Sequence, residues 1–428
     1  MNKSNALITD RAEKLLRLLV FLFPVFFLTI KGWTNSISSL FFLIAILYIL
    51  RNPTFFFTDR GKVFWLFFIT LLCPFFAELI VQIGRGEIVG RTLDGPSRFL
   101  AAAIFFVFMS RIRGDFSRCI SAGSIFAVFV TSFSVLVFTD YYWDGRAATY
   151  FVDPITLPVY LVATLSLVQP TLLRWSSTWE RIFSLSVWGL MLLLVGVVAV
   201  ISQSRTSWIA LIVLVETTLF LSTMKNKKVF AYLNFLLLIC IFLSFLFVGA
   251  IQSRVVEAFD QIHMFSQGSI DTSVGLRLGL ILMDLKLFLG FPLFGIADGQ
   301  LPPLEWFGIH GVDVTPRLYQ QKLLTGSHSE IFAQLTRKGI FGIPVLFFLF
   351  FVPIFYFSKL LMGESSRLRA EAAMGLQFSL VIFSSGLTIQ VLNLKMTSTF
   401  FAFILAIMFA SLTKNENDRV SLSQRFNL

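Results

Sequence analysis

Three things are scarce in these 428 residues. Cysteine occurs at Cys73, Cys119 and Cys240 alone, an odd number scattered in or beside apolar runs, so no disulfide framework is expected. Histidine occurs at His263, His310 and His328, and no cysteine and histidine stand at zinc-ligand spacing, so no metal site is expected either. Charged residues make up only 14% of the chain, where a soluble chain carries about a quarter. That excludes an ordinary water-soluble enzyme. A Gly-rich phosphate loop of the Walker or dinucleotide type is also missing, which argues against an ATP-driven machine.

What is abundant is apolar. The AVILMFWYC set supplies 56% of the residues, phenylalanine alone 52 of them, and the mean hydropathy is +0.81. Apolar runs of about 15 to 23 residues recur from near residue 15 to near residue 413, each long enough to cross a hydrocarbon core of about 30 Å as a helix. The ten-residue alternation of a membrane β-barrel is absent. The fold class is therefore an all-α polytopic membrane protein.

Punctuation by charge, Gly and Pro predicts twelve spans. They lie near 15–30, 36–50, 63–83, 96–110, 119–138, 154–169, 182–202, 206–223, 229–251, 328–361, 371–389 and 396–413. The tenth is too long to be all membrane, and its first turns, with Glu330, Arg337 and Lys338, are expected outside the bilayer. Leu15–Ile30 follows Arg11, Lys14 and Arg17 as a signal peptide would, but it lacks an A-x-A-like cleavage site and reads as a span.

The formal charge is +11, from 35 Lys and Arg against 24 Asp and Glu. In this setting the excess is topological and calls for no nucleic-acid partner. With twelve spans both termini share a side, where basic residues number 21 against 7 in the opposite short loops. The bias predicts N-in, C-in topology. Three regions follow: residues 1–251 with spans one to nine, 252–327 as one large external loop, and 328–428 with spans ten to twelve and a short cytoplasmic tail. Within the loop, Ser273–Gly290 reads as an amphipathic helix stopped by Gly290 and Pro292 and lying along the membrane surface.

Arg98, Arg205, Arg277 and Lys395 run against the orienting bias, which marks them for attention. Arg205 lies in "ISQSRTSWIAL", a polar turn between two apolar runs, where a permanently charged fork of donors suits phosphate oxygens. Arg277 lies near the start of the loop helix, whose N-terminal end adds positive potential. The competing reading of each is a snorkelling or solvated side chain. In "TGSHSEIFAQL", Ser327 and Glu330 match the capping-box spacing, which predicts His328 in the first turn of helix ten. There the helix dipole keeps an imidazole neutral and able to accept a proton. His263 and His310 have no such setting. Two arginines and a neutral base on one face point to chemistry on an anionic lipid, with phosphate as leaving group.

These residues resemble a known family. The SxSR turn ending at Arg205, the GxR of Gly275 to Arg277, and His328-Ser329-Glu330 followed by "RKGIFGIPVLFFLF" are similar to the O-antigen ligase family and its relatives, the O-antigen polymerases and protein O-oligosaccharyltransferases. The resemblance implies a metal-independent inverting glycosyltransferase of the bacterial inner membrane, without cofactor, whose active site faces the periplasm. The donor would be undecaprenyl-diphosphate-linked O-antigen and the acceptor a sugar hydroxyl of lipid A core. Arg205 and Arg277 would bind the diphosphate, Arg98, in "DGPSRFLAAAIFF", would add a third positive group, and His328 would activate the acceptor. Lys395, ahead of span twelve, is a weaker candidate, and helix anchoring is the competing reading of both it and Arg98. The Pro- and aromatic-rich stretch from Ile296 to Thr325 does not align with the family and is where acceptor specificity is expected. A flippase for lipid-linked saccharide is the alternative from another class, but it should carry charges near the bilayer midplane. Here they gather at one face.

Overall fold

The computed structural model describes residues 10–52, 61–112, 116–138, 142–143, 145–168, 178–224, 226–297, 299–312, 314–362 and 366–426. Among them the backbone is helical nearly throughout, as it must be where no water is available to bond exposed N–H and C=O groups. The elements are α1 (Asp10–Val25), α2 (Trp33–Arg51), α3 (Lys62–Arg85), α4 (Gly90–Met109), α5 (Phe116–Val137), α6 (Thr156–Ser166), α7 (Thr178–Ile201) and α8 (Arg205–Thr223). They continue with α9 (Lys227–Phe247), α10 (Gly249–Ser266), α11 (Ser273–Gly290), α12 (Leu304–Ile309) and α13 (Pro316–Thr325). α14 (Glu330–Met362), α15 (Ser366–Gly386) and α16 (Lys395–Phe426) complete the chain. One two-residue hairpin pairs β1 (Tyr142–Trp143) antiparallel with β2 (Arg146–Ala147).

Nine of the helices are long and apolar enough to cross a membrane among the described residues: α2, α3, α4, α5, α7, α8, α9, α14 and α16. The remaining three expected spans, 15–30, 154–169 and 371–389, fall on α1, α6 and α15, which are not among the nine. α1 stops at Val25, one residue after Pro24. α6 has 11 residues, a rise of about 16 Å, half the hydrocarbon thickness. Every residue from Leu157 to Ser166 is nonetheless buried, so α6 is apolar because it lies inside the protein.

Lipid offers little hydrophobic drive between helices, so dispersion and close approach decide which surfaces meet. α16 is the most buried of the long helices, with 89% of its apolar segment buried, whereas no residue of α9's apolar segment is fully buried. Ala402, Ala406 and Ala410 recur every fourth residue on α16 and, with Ala102 and Ala103 of its neighbour α4, are fully buried. Phenylalanines fill the remaining space: Phe400 stacks on Phe27, in the turn after α1, at 4.1 Å, and Phe409 on Phe67 of α3 at 3.9 Å.

α11 spans the residues expected of it, but its environment differs from a surface helix with solvated charges. Gly275, Gly279, Leu280, Met283, Asp284 and Leu287 are buried against α10, α13 and the first turns of α14. Leu280, Met283 and Leu287 join Phe307, Val312, Val314 and Leu318 in a small core of their own. The opposite face keeps Leu282, Leu285 and Leu289 exposed. Two glycines clamp this region to α14: Gly295 and Gly339 have φ of +63° and +56°, and a Cβ on Gly339 would stand 2.4 Å from the Pro292 carbonyl. The close approach is bridged by Ile296 N–H donating to Thr336 (2.9 Å) and Ile340 N–H donating to Pro292 (2.7 Å).

Candidate active site

The turn between α7 and α8 places Arg205 as the first residue of α8, behind Ser204 at the N-cap. Gln203 makes the reversal possible with φ of +51°, and it is the one non-glycine residue with positive φ among the described residues. That conformation costs about 1–2 kcal/mol for an L-residue, so the surroundings must fix it. They do so through Arg254, whose guanidinium forks onto Gln203 Oε1 at 2.5 and 3.0 Å. The Trp208 indole donates to the Ala199 carbonyl at 3.1 Å. From β2, Arg146 Nε donates to the Ser202 carbonyl at 2.9 Å, and Ser202 Oγ donates to Ala147 at 3.0 Å. Arg146 is thereby fastened to the turn that presents Arg205.

A relay then joins this turn to α11. Glu257 of α10 receives Arg205 at 3.2 Å and Arg254 at 2.9 Å. Gln261 donates to Glu257 at 2.8 Å and accepts the N–H of Val274, in the first turn of α11, at 3.1 Å. One residue before α11, Thr272 caps it by accepting from Gly275 N–H at 3.0 Å. Arg277 follows one turn later. Burial, then the nearby guanidinium groups of Arg205 and Arg146, push its pKa below the ordinary arginine value. Three arginines from three separate elements therefore crowd one space. Such crowding is unfavourable unless an anion enters.

His328 borders the same space. Its pKa is lowered from 6.5 to about 4, first by burial, then by Arg277 and Lys322, with Asp284 opposing. The neutral state expected from sequence thus has a different origin. α14 begins at Glu330 with Ser329 as N-cap, so His328 precedes the helix and the capping box does not form. Ser327 Oγ instead accepts from Lys322 Nζ at 2.6 Å, and Glu330 accepts from the Leu392 N–H at 3.0 Å and from Gln334 at 2.7 Å. The loop after α15 holds both flanks of the histidine: Ser329 Oγ donates to the Gly386 carbonyl at 3.3 Å, and the Gln390 amide donates to the Ser327 carbonyl. Thr206, next to Arg205, is bonded to Thr388 of that loop at 2.9 Å.

Arg205, Arg277 and His328 are brought together, and Arg98 is not placed with them. Arg98 pairs with Asp94 one turn earlier on α4 at 2.8 Å, and Lys395 pairs with the same carboxylate. Its absence from the charges acting on Arg277 leaves the third position to Arg146. Arg146 carried the same signal as Arg205 in the sequence, a basic residue against the orienting bias, but no motif around it drew attention. Among the described residues no three His, Cys, Asp or Glu side chains converge as metal ligands would.

An apolar groove of about 890 Å³ runs between α7, α8, α9 and α10, walled by side chains such as Leu192, Trp208, Ile212, Phe242 and Phe259. Its charged lining residues are Arg205 and Arg254, both at the Gln203 turn. A long hydrocarbon with an anionic end matches this distribution, with the chain in the groove and the charge among the arginines.

Residues 190–348 match the family model described as O-antigen ligase. That stretch contains the groove, Arg205, Arg277 and His328, and is similar to an O-antigen ligase domain. The family comprises glycosyltransferase-like membrane enzymes that act on lipid-linked polysaccharide. No curated protein matches the chain.

Proposed function

We propose that this protein is an O-antigen ligase, which moves O-antigen from undecaprenyl diphosphate to a sugar hydroxyl of lipid A core at the periplasmic face of the bacterial inner membrane. The observation that carries this reading is the apolar groove ending at Arg205, within the arginine cluster that borders a neutral imidazole. The polyprenyl chain lies in the groove and its diphosphate among Arg205, Arg277 and Arg146. The acceptor oxygen attacks the anomeric carbon from the face opposite the diphosphate and gives its proton to His328. The bond from that carbon to the diphosphate oxygen breaks, and its electron pair leaves with the diphosphate, where the guanidinium groups meet the growing charge. The configuration at carbon inverts. Positive charge already in place when negative charge develops is the strongest aid such a site can give.

In the same reading the chain crosses the membrane twelve times with both termini in the cytoplasm, and residues 252–327 sit over the bilayer with Leu282, Leu285 and Leu289 of α11 against lipid. The test is reconstitution with a polyprenyl-diphosphate glycan and lipid A core, comparing the native protein with His328→Ala. The expected result is transfer to the core by the native protein and none by the variant, with donor binding retained. Near-normal transfer by His328→Ala removes the catalytic role. Products lengthened by glycan repeats, or glycan on protein, assign the chain to the polymerases or the protein-directed transferases.

A further inference from the structure

Among the described residues one carboxylate, that of Glu257 on α10, pairs with the guanidinium groups of the Gln203 turn. Its two oxygens serve different partners. Oε1 accepts from the Gln261 amide at 2.8 Å. Oε2 is shared by Arg205 at 3.2 Å and Arg254 at 2.9 Å.

The two arginines are held unequally. Arg254 has a second acceptor in Gln203 Oε1, which it reaches with two nitrogens at 3.0 and 2.5 Å. Arg205 has Glu257 Oε2 as its one side-chain partner among the described residues, through a single nitrogen and at the longer distance. The bond that Glu257 can give up is therefore the one to Arg205. Glu257 keeps 39% of its side-chain surface exposed, against 21% for Arg205. A carboxylate released from Arg205 thus turns toward water and not into a dry interior, where its desolvation would be costly.

The proposed reaction changes the charge that these arginines face. In the donor both phosphates are esterified, and each carries one negative charge. When the anomeric bond breaks, its electron pair stays on the diphosphate oxygen, so the lipid product ends in a phosphate with a second ionisation, of pKa about 6. Arginines alone would hold the product more tightly than the donor, because the attraction grows with each added charge. A turnover that ends in a tighter complex is slowed by release of its own product.

We propose that Glu257 sets the preference of the arginine cluster between donor and spent lipid. Its carboxylate competes for Arg205, opposes the more highly charged polyprenyl diphosphate more than the glycan-bearing donor, and so speeds release after transfer. Glu257 acts through Arg205 and is a positioning residue. The inference rests on Arg205 as a contact of the diphosphate.

The test exchanges two side chains of α10. In Glu257→Gln with Gln261→Glu the carboxylate moves one turn away from Arg205, toward the Val274 N–H that Gln261 now accepts. The amide and the carboxylate can still bond each other, and the net charge is unchanged. Full-length native and exchanged proteins in nanodiscs are titrated with polyprenyl diphosphate and with the same lipid bearing one sugar on its terminal phosphate. Glu257→Asp is the conservative control and Arg205→Gln the check on the site. The exchange should tighten polyprenyl diphosphate roughly fivefold, the scale of one partly exposed ion pair, and the sugar-bearing lipid by clearly less. Glu257→Asp should stay near the native ratio. Added polyprenyl diphosphate should inhibit transfer by the exchanged protein at correspondingly lower concentration. A merely structural role would change both affinities together. An equal change for the two lipids, weaker binding of both, or an unchanged ratio overturns the proposal. If Arg205→Gln binds both lipids as well as the native protein does, the diphosphate site lies elsewhere and the proposal falls with it. A loss in Arg205→Gln beside an unchanged ratio in the exchanged protein overturns the role of Glu257 alone.

Discussion

Thr206 and Thr388 share a hydrogen bond of 2.9 Å that links the helix start carrying Arg205 to the loop at the end of α15, which holds the Ser327 carbonyl and the Ser329 hydroxyl on either side of His328. Arg205 and His328 lie 123 positions apart in the chain, and their common loop comes from a third region, between α15 and α16. Geometry at the proposed reaction centre therefore depends on a hydroxyl pair that touches neither substrate nor base.

Thr206→Val keeps the shape of this buried side chain and removes its hydroxyl. The Thr388 hydroxyl still donates to the Ser385 carbonyl at 3.3 Å, so little stability is at stake, about 1 kcal/mol for one neutral hydrogen bond. Turnover should fall more than stability, because small misplacement of a reacting group costs up to about a hundredfold in rate. Steady-state kinetics beside thermal unfolding in detergent checks the expectation. An unchanged kcat with a lowered Tm would make the bond purely structural.

The depressed pKa of His328 fixes the pH response. The base acts when neutral, so kcat/KM should hold level at neutral pH and fall as pH drops through about 4, well below the ordinary imidazole value near 6.5. Burial disfavours the imidazolium first and Arg277 next. Arg277→Gln removes that positive neighbour, so it should raise the acid limb while lowering the overall rate. The pH profile of each protein measures both effects. A limb that stays in place after Arg277→Gln separates the arginine from the histidine.

Much of this was legible in the sequence. Apolar length and charge bias reveal a helical membrane protein because lipid imposes both. They say less about α6, whose apolar run is buried in protein, since composition does not tell a protein surrounding from a lipid one. Arg205, Arg277 and His328 stood out because each interrupts a run or opens a helix. The reason given for the neutral histidine did not hold: Ser327 and Glu330 have the spacing of a capping box, but Lys322 and the Leu392 N–H claim their side chains. Lys322 stands five residues before Ser327 but on α13, and Leu392 lies 62 residues beyond Glu330, so the capping-box spacing announces neither partner.

Arg146 and Arg98 offer a direct contrast. Arg146 belongs to the charges that surround Arg277, while Arg98 is paired with Asp94 on another helix. Charge-assisted hydrogen bonds contribute about 1.5–3 kcal/mol each. Arg146→Gln should therefore weaken binding of a polyprenyl diphosphate by roughly ten- to a hundredfold, and Arg98→Gln should leave it nearly unchanged. Titration of each variant with the lipid decides. A larger loss for Arg98→Gln would return the third diphosphate contact to α4.

Lys322 and Asp284 form a buried ion pair beneath the site, with Lys322 also donating to Ser327 at 2.6 Å and Thr336 donating to the same carboxylate oxygen of Asp284 at 2.9 Å. The pair joins α11, α13 and the first turns of α14. Removing one partner of such a pair costs about 3–5 kcal/mol, because a charge is left buried alone, whereas replacing both by apolar residues is often nearly neutral. Lys322→Met should thus lower the unfolding temperature sharply, and Lys322→Met with Asp284→Leu should recover most of the loss. Activity should separate from stability in the double variant. Lys322 lowers and Asp284 raises the His328 pKa, so exchanging both changes the charge around the imidazole while the fold survives. The combination of recovered stability with an altered pH profile is the expected result. Recovered stability with a native profile would confine this pair to holding the three helices together.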